Sequence, residues 1–163
     1  TTIPMKEKKS LLFICLGNIC RSPAAEGVMK KKAEEAGMAD SLYIDSAGIG
    51  GWHIGELPDR RMRSHALHRG YILDSRARQF ALPDFHNFDY IVVMDDENYR
   101  AILSLATDGM EKNKVWKMRD FFTKYKGIAD VPDPYYGGDA EFNRALDLIE
   151  DGCEGLLTHL LRQ

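Results

Sequence analysis

The 163-residue sequence lacks the features that mark several large classes of protein. It has only three cysteines, an odd number, which does not suit a disulfide framework and favours a reducing compartment. No apolar run approaches the ~18 residues that a membrane-spanning helix needs, and no repeat or low-complexity segment is present. Segment 1–9 is polar and basic, without the apolar core of a cleavable signal. We therefore expect a cytoplasmic protein that does not bind membranes.

The net charge and the length of the chain restrict its class of partner and its number of domains. The net charge of −3 does not favour a general nucleic-acid binder, so no nucleic-acid partner is expected. A chain of this length can bury a substantial core as one domain, and no linker divides it. The sequence thus predicts a single domain over residues 1–163, and we expect a monomer.

The pattern of apolar segments predicts an α/β fold. Apolar strand candidates lie at 11–16, 42–45, 90–94 and 115–118. Helices are predicted at 23–36, from 58 to a stop at 70, at 97–106 and at 139–161. Right-handed crossovers between such strands give a four-stranded parallel sheet flanked by helices on both faces, a Rossmann-like arrangement. Ligands of such sheets bind at the carboxyl ends of the strands.

The most specific feature is the segment that joins the first strand to the first helix. Residues 15–23 read CLGNICRSP, with a thiol at Cys15 and a guanidinium at Arg21. Pro23 suits the first turn of a helix, so backbone N–H groups and the positive end of the helix dipole can meet at one anion. The same field favours the thiolate over the thiol. The spacing predicts a phosphate-sized anion site with Cys15 as nucleophile and Arg21 as a bidentate clamp.

The other residues of this loop have conformational or supporting roles in the prediction. Asn18 tolerates a left-handed backbone, so we expect it to shape the loop. Ser22 could donate a hydrogen bond to the sulfur of Cys15. The structural alternative for Cys15 is a small buried hydrophobe at a strand end, but that explains neither Gly17 nor Arg21.

At these residues the sequence resembles the low-molecular-weight protein tyrosine phosphatases, whose signature is C-x5-R-[ST] with the interior Gly-Asn and second Cys found here. A second element of the family, Asp-Pro followed by two tyrosines, matches residues 133–136, and the resemblance runs from residue 11 to the last helix. It implies hydrolysis of phosphotyrosine and aryl phosphate monoesters through a phosphocysteine on Cys15. Asp133 would be the general acid and base. The implied partners are phosphotyrosine proteins or peptides, with inorganic phosphate as product and inhibitor, and no cofactor or metal is expected.

The resemblance also assigns residues around the loop. It implies a phosphate-binding loop of Leu16, Gly17, Asn18, Ile19, Cys20 and Ser22, and a substrate pocket of Leu16, Trp52 and Tyr135. Ser46 matches a serine that holds the loop asparagine in relatives. Ser75 occupies a segment where many eukaryotic members carry a histidine in the same network.

Cys20 has two interpretations that the sequence leaves open. In the family, the second loop cysteine condenses with the oxidised nucleophile and protects it, which gives Cys20 a redox role toward Cys15. Alternatively, Cys20 packs the loop. Cys153 is expected in the core.

Three rival functions share parts of this pattern. Thioredoxin-coupled arsenate reductase needs further cysteines, and none lies between Arg21 and Gly152. Protein-arginine phosphatases tend to have threonine after the loop asparagine, where this chain has Ile19. A non-catalytic phospho-binding module would keep Arg21 and could dispense with Cys15 and Asp133.

For the other charged and titratable groups, the simplest interpretation is structural. Acidic residues 95–97 suggest either a metal site or, more simply, a helix cap. None of the five histidines has a motif around it, and the loop needs no histidine base. The basic run 60–63 predicts a solvated helix face, with a site for an acidic partner as the alternative.

Overall fold

The computed structural model describes residues 8–162, so the prediction for segment 1–7 lies outside the described residues. The strands are β1 (Lys9–Cys15), β2 (Leu42–Gly48), β3 (Tyr90–Val93) and β4 (Val115–Lys117). The helices are α1 (Arg21–Glu35), α2 (Arg60–His68), α3 (Asp84–Asn87), α4 (Asp96–Leu105), α5 (Gly109–Asn113) and α6 (Asp139–Leu161). Two short 3-10 helices, Ala39–Ser41 and Met118–Phe121, precede β2 and follow β4.

The four strands form one parallel sheet in the order β2-β1-β3-β4. The chain moves from β1 to β2 on one side and then crosses back to β3 on the other side of β1. The loops after β1 and β3 therefore diverge at a switch point, where α/β sheets place their ligands. The predicted α/β class and parallel sheet are confirmed.

Alternate residues of the central strand face two separate cores. Leu11 and Phe13 of β1 pack with α1 and α6, whereas Leu12 and Ile14 pack against α4 and the short α3. All four side chains are fully buried. Helices thus cover both faces of the sheet, as predicted.

Several predicted boundaries shift, and the shifts matter near the loop. The second strand was predicted to end at Asp45 but runs to Gly48, which pairs with Cys15. Ser46 therefore lies inside β2 rather than after it. Small residues are required here because a Cβ on Gly48 would lie 3.0 Å from the backbone nitrogen of Asn18.

Helix starts also differ from the prediction. The first helix begins at Arg21, two residues before Pro23, which occupies the first turn, where its missing N–H is harmless. The second begins at Arg60 with Asp59 as N-cap, because the Asp59 carboxylate accepts hydrogen bonds from the N–H groups of Arg61 and Met62. Helix α4 is shifted by one residue, and α6 has the predicted bounds. Within the described residues, no helix has the length and apolarity needed to cross a membrane.

Candidate active site

The loop after β1 begins at a buried thiol and ends in a helix. Cys15 is the last residue of β1, and α1 starts at Arg21 with no side-chain cap on its N-terminus. The first turn of a helix leaves its N–H groups without intrahelical partners. Cys15 is buried, with only 3% of its surface exposed to solvent. The loop therefore presents unpaired donors and the helix dipole next to a thiol, which suits an anion.

Asn18 holds the loop in its conformation. Its φ of 59° lies in the left-handed region, as predicted for an asparagine at this position. The N–H of Arg78 donates to Asn18 Oδ1 at 3.0 Å, which fixes the amide orientation because a backbone N–H can only donate. Asn18 Nδ2 then donates to Ser22 Oγ at 2.7 Å and to Ser46 Oγ at 3.0 Å. One buried amide thus ties together the loop, α1 and β2.

The two serine hydroxyls extend this network, Ser46 toward Glu26 and Ser22 toward the thiol of Cys15. Ser46 Oγ donates to the buried carboxylate of Glu26 at 2.6 Å, and Glu26 also pairs with Lys30. Ser22 Oγ lies 3.0 Å from Cys15 Sγ and 3.4 Å from the carbonyl of Ala47. The predicted contact between Ser22 and the sulfur is therefore present.

The expected contribution of Ser75 is not present. No hydrogen bond joins Ser75 to Asn18 in residues 8–162, and the network is completed instead by the Arg78 N–H and by Glu26. A backbone N–H leaves no trace in the sequence, so the sequence indicated the segment around Ser75 but not the group that contacts Asn18. Glu26 lies one turn after Ser22 on α1, and that spacing was the available signal.

Arg21 is buried and anchored at the switch point. Its Nη1 atom donates to Asp95 Oδ2 at 2.6 Å and to the carbonyl of Val131 at 2.9 Å. Asp95 also caps α4 through the N–H of Asn98, as the sequence predicted. Burial alone lowers the pKa of Arg21, but the charge of Cys15, the hydrogen bond and charge of Asp95, and the charge of Asp133 together raise it. Arg21 is a permanent cation beside the thiol.

Asp133 reaches the same place from the opposite side. Its carboxylate Oδ2 lies 3.8 Å from Arg21 Nη2, and Oδ1 accepts the N–H of Tyr135 at 3.1 Å. Arg61 of α2 supports this loop because its Nη2 atom donates to the carbonyl of Tyr135 at 2.8 Å and its guanidinium lies over the tyrosine ring. Asp133 is thus held at the edge of the site with a side chain 39% exposed.

These residues line one cleft of about 330 Å³. It is lined by Cys15, Leu16, Gly17, Ile19, Cys20, Arg21, Trp52, His53, Asp133, Tyr135 and Tyr136. Every predicted catalytic and substrate-pocket residue is in this set. The polar supports Asn18, Ser22 and Ser46 lie behind it.

His53 and Tyr136 are the lining residues that the sequence did not predict. The ring of His53 would lie 3.2 Å from a Cβ at Gly17, its Nδ1 is 2.7 Å from Glu56 Oε2, and it faces the ring of Tyr135. Its position directly after Trp52 was the available signal. Tyr136 is almost fully exposed, with its ring edge-on to that of Tyr135.

Cys20 is a free thiol at the N-cap of α1. Burial, followed by the charges of Asp59, Cys15 and Asp133, raises its pKa far above the ordinary value. Cys20 therefore stays protonated beside Cys15. Cys153 is fully buried in the core, as predicted.

No group of three or more His, Cys, Asp or Glu side chains in residues 8–162 is arranged to hold a metal ion. Asp96 instead pairs with Lys117 and Arg119, which lowers its pKa. The acidic run after β3 therefore acts through helix capping and ion pairs.

The fold and the site define an α/β protein that holds a cysteine thiol in the loop between its first strand and first helix, where the uncapped helix N-terminus suits an anion. The family model of the low molecular weight phosphotyrosine protein phosphatases matches residues 10–163. A Synechocystis protein assigned to the same family is 49% identical over 150 residues, 92% of this chain and 95% of the relative. The chain belongs to this family, whose members are hydrolases.

Solved structures agree with this assignment. A protein tyrosine phosphatase from Entamoeba histolytica has 46% sequence identity and a TM-score of 0.92, over 95% of this chain and 98% of the other. A Drosophila arginine phosphatase has 30% identity and a TM-score of 0.84, over 92% of this chain and 96% of the other. Proteins named for two different phosphoryl substrates thus share this fold.

Proposed function

We propose that this protein hydrolyses phosphotyrosine in proteins or peptides, and other aryl phosphate monoesters, through a phosphocysteine on Cys15. The observation that carries the proposal is the meeting of a buried thiol, a buried guanidinium and an exposed carboxylate at one cleft, from Cys15, Arg21 and Asp133. A nucleophile, an anion clamp and a proton donor are the three groups that displacement at phosphorus requires.

Hydrogen-bond direction supports Cys15 as the nucleophile. Ser46 receives the Asn18 N–H and gives its own proton to Glu26, while Ser22 receives the other Asn18 N–H. The one hydroxyl proton of Ser22 can then point to Cys15 Sγ at 3.0 Å, for which the Ala47 carbonyl at 3.4 Å is the more distant competing acceptor. A thiolate can only accept, so this arrangement stabilises the ionised sulfur.

Arg21 is proposed to clamp the phosphoryl group. Asp95 and the Val131 carbonyl both bind Nη1, so they fix the plane of the guanidinium. The Nη2 and Nε groups can then donate to two phosphoryl oxygens, together with the N–H groups at the start of α1. This is the preorganised electrostatic stabilisation that phosphoryl transfer depends on.

Asp133 is proposed to carry the proton in both steps. In the first step the sulfur bonds to phosphorus, the ester P–O bond breaks, and protonated Asp133 gives its proton to the leaving phenolate oxygen. In the second step water attacks phosphorus, Asp133 takes a proton from that water, the S–P bond breaks, and phosphate leaves with Cys15 regenerated.

The walls of the cleft support an aromatic substrate. Leu16, Trp52 and Tyr135 place apolar and aromatic surface around the mouth above the thiol. A phenyl ring fills that depth, whereas the shorter phosphoserine would leave these surfaces in water. We therefore propose a preference for phosphotyrosine.

A protein-arginine phosphatase is the second candidate, favoured by the Drosophila relative. The bulkier Ile19 supports the tyrosine assignment, since its side chain lines the cleft wall where that activity is associated with threonine. Retention of Cys15 and Asp133 also supports an enzyme over a module that only binds phosphate. The absence of cysteine between Arg21 and Gly152 does not support an arsenate reductase.

The test is hydrolysis of matched peptides carrying phosphotyrosine, phosphoserine or phosphoarginine, without added metal. We expect turnover of phosphotyrosine and none by Cys15→Ser. Ile19→Thr should shift the preference toward phosphoarginine, and Ile19→Val is the matched control. A wild-type preference for phosphoarginine would overturn the substrate assignment, and binding without turnover would overturn catalysis.

The remaining roles are predictions from the sequence and the family resemblance. They are the protection of oxidised Cys15 by Cys20, inhibition by inorganic phosphate, and a cytoplasmic monomer without metal or cofactor. Cys15 and Cys20 line the same cleft, which supports the first of these.

A further inference from the structure

A second groove opens directly beside the cleft. It has a volume of about 540 Å³ and shares Ile19, His53 and Tyr135 with the cleft, so the two are separated only by these side chains. A peptide whose phosphotyrosine occupies the cleft must continue along the surface on one side or the other. The groove lies on one of those two paths.

Three arginines line this groove. Arg60 and Arg63 belong to α2, and Arg76 lies in the segment between α2 and α3. Arg63 Nε donates to the carbonyl of Pro58 at 3.0 Å, and Arg76 Nη1 donates to the carbonyl of Gly55 at 3.2 Å. These contacts fix the side chains but leave most of each guanidinium fork unused. In the part of the chain that the structure describes, none of the three forms an ion pair.

The two carboxylates of the groove are already engaged. Asp59 caps α2 and pairs with Arg61 at 3.1 Å, and Glu56 contacts His53 at 2.7 Å. Neither forms an ion pair with any of the three arginines. Three arginines without ion-pair partners are unexpected in one groove of a protein whose net charge is −3. They make the electrostatic potential of the groove positive, although the protein as a whole is negatively charged.

We propose that this groove is the recognition site for acidic side chains that flank the phosphotyrosine of the substrate, with Arg60, Arg63 and Arg76 as the residues that determine this specificity. The proposal rests on the proposed function, because it extends the substrate from a phosphoaryl group to an acidic phosphotyrosine peptide. Arginine forks pair bidentately with carboxylates. The charge complementarity therefore selects aspartate or glutamate in the flanking chain.

The experiment compares three phosphotyrosine peptides of equal length. One has neutral flanks, one has acidic residues before the phosphotyrosine, and one has them after it; p-nitrophenyl phosphate is the substrate without flanks. The test variant is Arg60→Gln/Arg76→Gln, two exposed groups outside the catalytic set. The matched control is Lys112→Gln/Arg162→Gln, which removes two exposed charges elsewhere.

The wild type should prefer one acidic peptide over the neutral peptide by roughly tenfold in kcat/KM, mainly through KM, because each exposed ion pair contributes about two- to fivefold. The test variant retains Arg63, so it should lose most of this preference and keep at most about two- to fivefold, while hydrolysis of the neutral peptide and p-nitrophenyl phosphate stays within about twofold. High salt should erase the preference in the wild type, since it screens exposed charges.

Equal rates for acidic and neutral peptides, or a preference that is undiminished in the test variant, would overturn the proposed role of the groove. An equal loss in the control would also overturn it, because a general field of the protein would then explain the effect. Failure of the proposed function would look different, since neither p-nitrophenyl phosphate nor the neutral peptide would be hydrolysed. In that case, binding of the same peptides to Cys15→Ser with and without the arginine substitutions tests the groove alone.

Discussion

The two walls of the cleft are built in opposite ways. On the inner wall, Asn18, Arg21 and Ser22 are at most 2% exposed. Their polar atoms bind to one another, to side chains of β2 and of the α4 N-cap, and to backbone groups of two distant loops. On the outer wall, Trp52 is 68% and Tyr136 is 95% exposed. The inner wall is fixed by buried hydrogen bonds, whereas the outer wall has little packing to fix it.

The proposed function accounts for the difference through what each wall would recognise. Phosphate is small and of constant geometry, so donors fixed in advance stabilise its transition state without reorganisation. The peptide around a phosphotyrosine varies, and exposed aromatic surface accepts different partners at little cost in stability. We therefore expect inner-wall changes to alter the chemical step and outer-wall changes to alter substrate binding.

Asp133 is the exception to this division between chemistry and binding, and its substitution should have the largest effect. Although exposed on the outer side, it should act on chemistry. Asp133→Asn keeps the acceptor for the Tyr135 N–H but removes the proton, so kcat for a phosphotyrosine peptide should fall about 10²-fold or more.

The loss in kcat/KM, which reports formation of the phosphocysteine, should be smaller for p-nitrophenyl phosphate than for the peptide, because p-nitrophenolate leaves readily without a proton. Asp130→Asn, three residues earlier and paired with Arg119, is the matched control and should retain activity. Equal losses in kcat/KM on both substrates would remove Asp133 from the role of general acid.

Substitution of Asp95 tests the inner wall, because its carboxylate orients Arg21. Asp95→Ser retains an oxygen to cap α4 but removes the carboxylate that orients Arg21. A misplaced clamp should lower kcat/KM by roughly 10- to 10²-fold and weaken inhibition by inorganic phosphate in parallel.

Asp108→Ser is the control because Asp108 caps α5 in the same manner, far from the cleft. A purely structural role for Asp95 would lower stability in both variants and leave phosphate inhibition unchanged in each.

The smallest effect is expected on the outer wall. Trp52→Ala should raise KM for a phosphotyrosine peptide by about three- to tenfold through lost aromatic contact, with kcat nearly unchanged. Its free energy of unfolding should change by less than about 0.5 kcal/mol, as for most exposed positions. Ile54→Ala, in the same loop but outside the cleft lining, is the control for both quantities.

The sequence predicted the residues of the loop better than the contacts that hold them, for a physical reason. A loop that must hold an anion restricts its residues to a thiol, a glycine, an asparagine with positive φ and an arginine at fixed spacing, and such restrictions are visible locally. The sheet was equally accessible because 90–94 and 115–118 are apolar runs that match β3 and β4 within one residue.

Contacts between distant segments were not accessible in the same way. The ion pair of Arg21 with Asp95 joins residues 74 positions apart, and the sequence indicated only the helix-capping half of the role of Asp95. The Arg78 N–H replaced the expected Ser75 for the same reason, since a backbone donor carries no residue preference. His53 reached the cleft through the fold of the glycine-rich loop at 48–52, which no periodic pattern describes.

The central claim is a covalent phosphoryl group on Cys15, and rapid quench with intact-protein mass spectrometry tests it most directly. During turnover of p-nitrophenyl phosphate by Asp133→Asn, in which hydrolysis of the intermediate lacks its base, we expect one added phosphoryl group per protein. Peptide mapping should place it on Cys15, and Cys15→Ser should show none. Turnover without any adduct, or an adduct on a residue other than Cys15, would contradict the account.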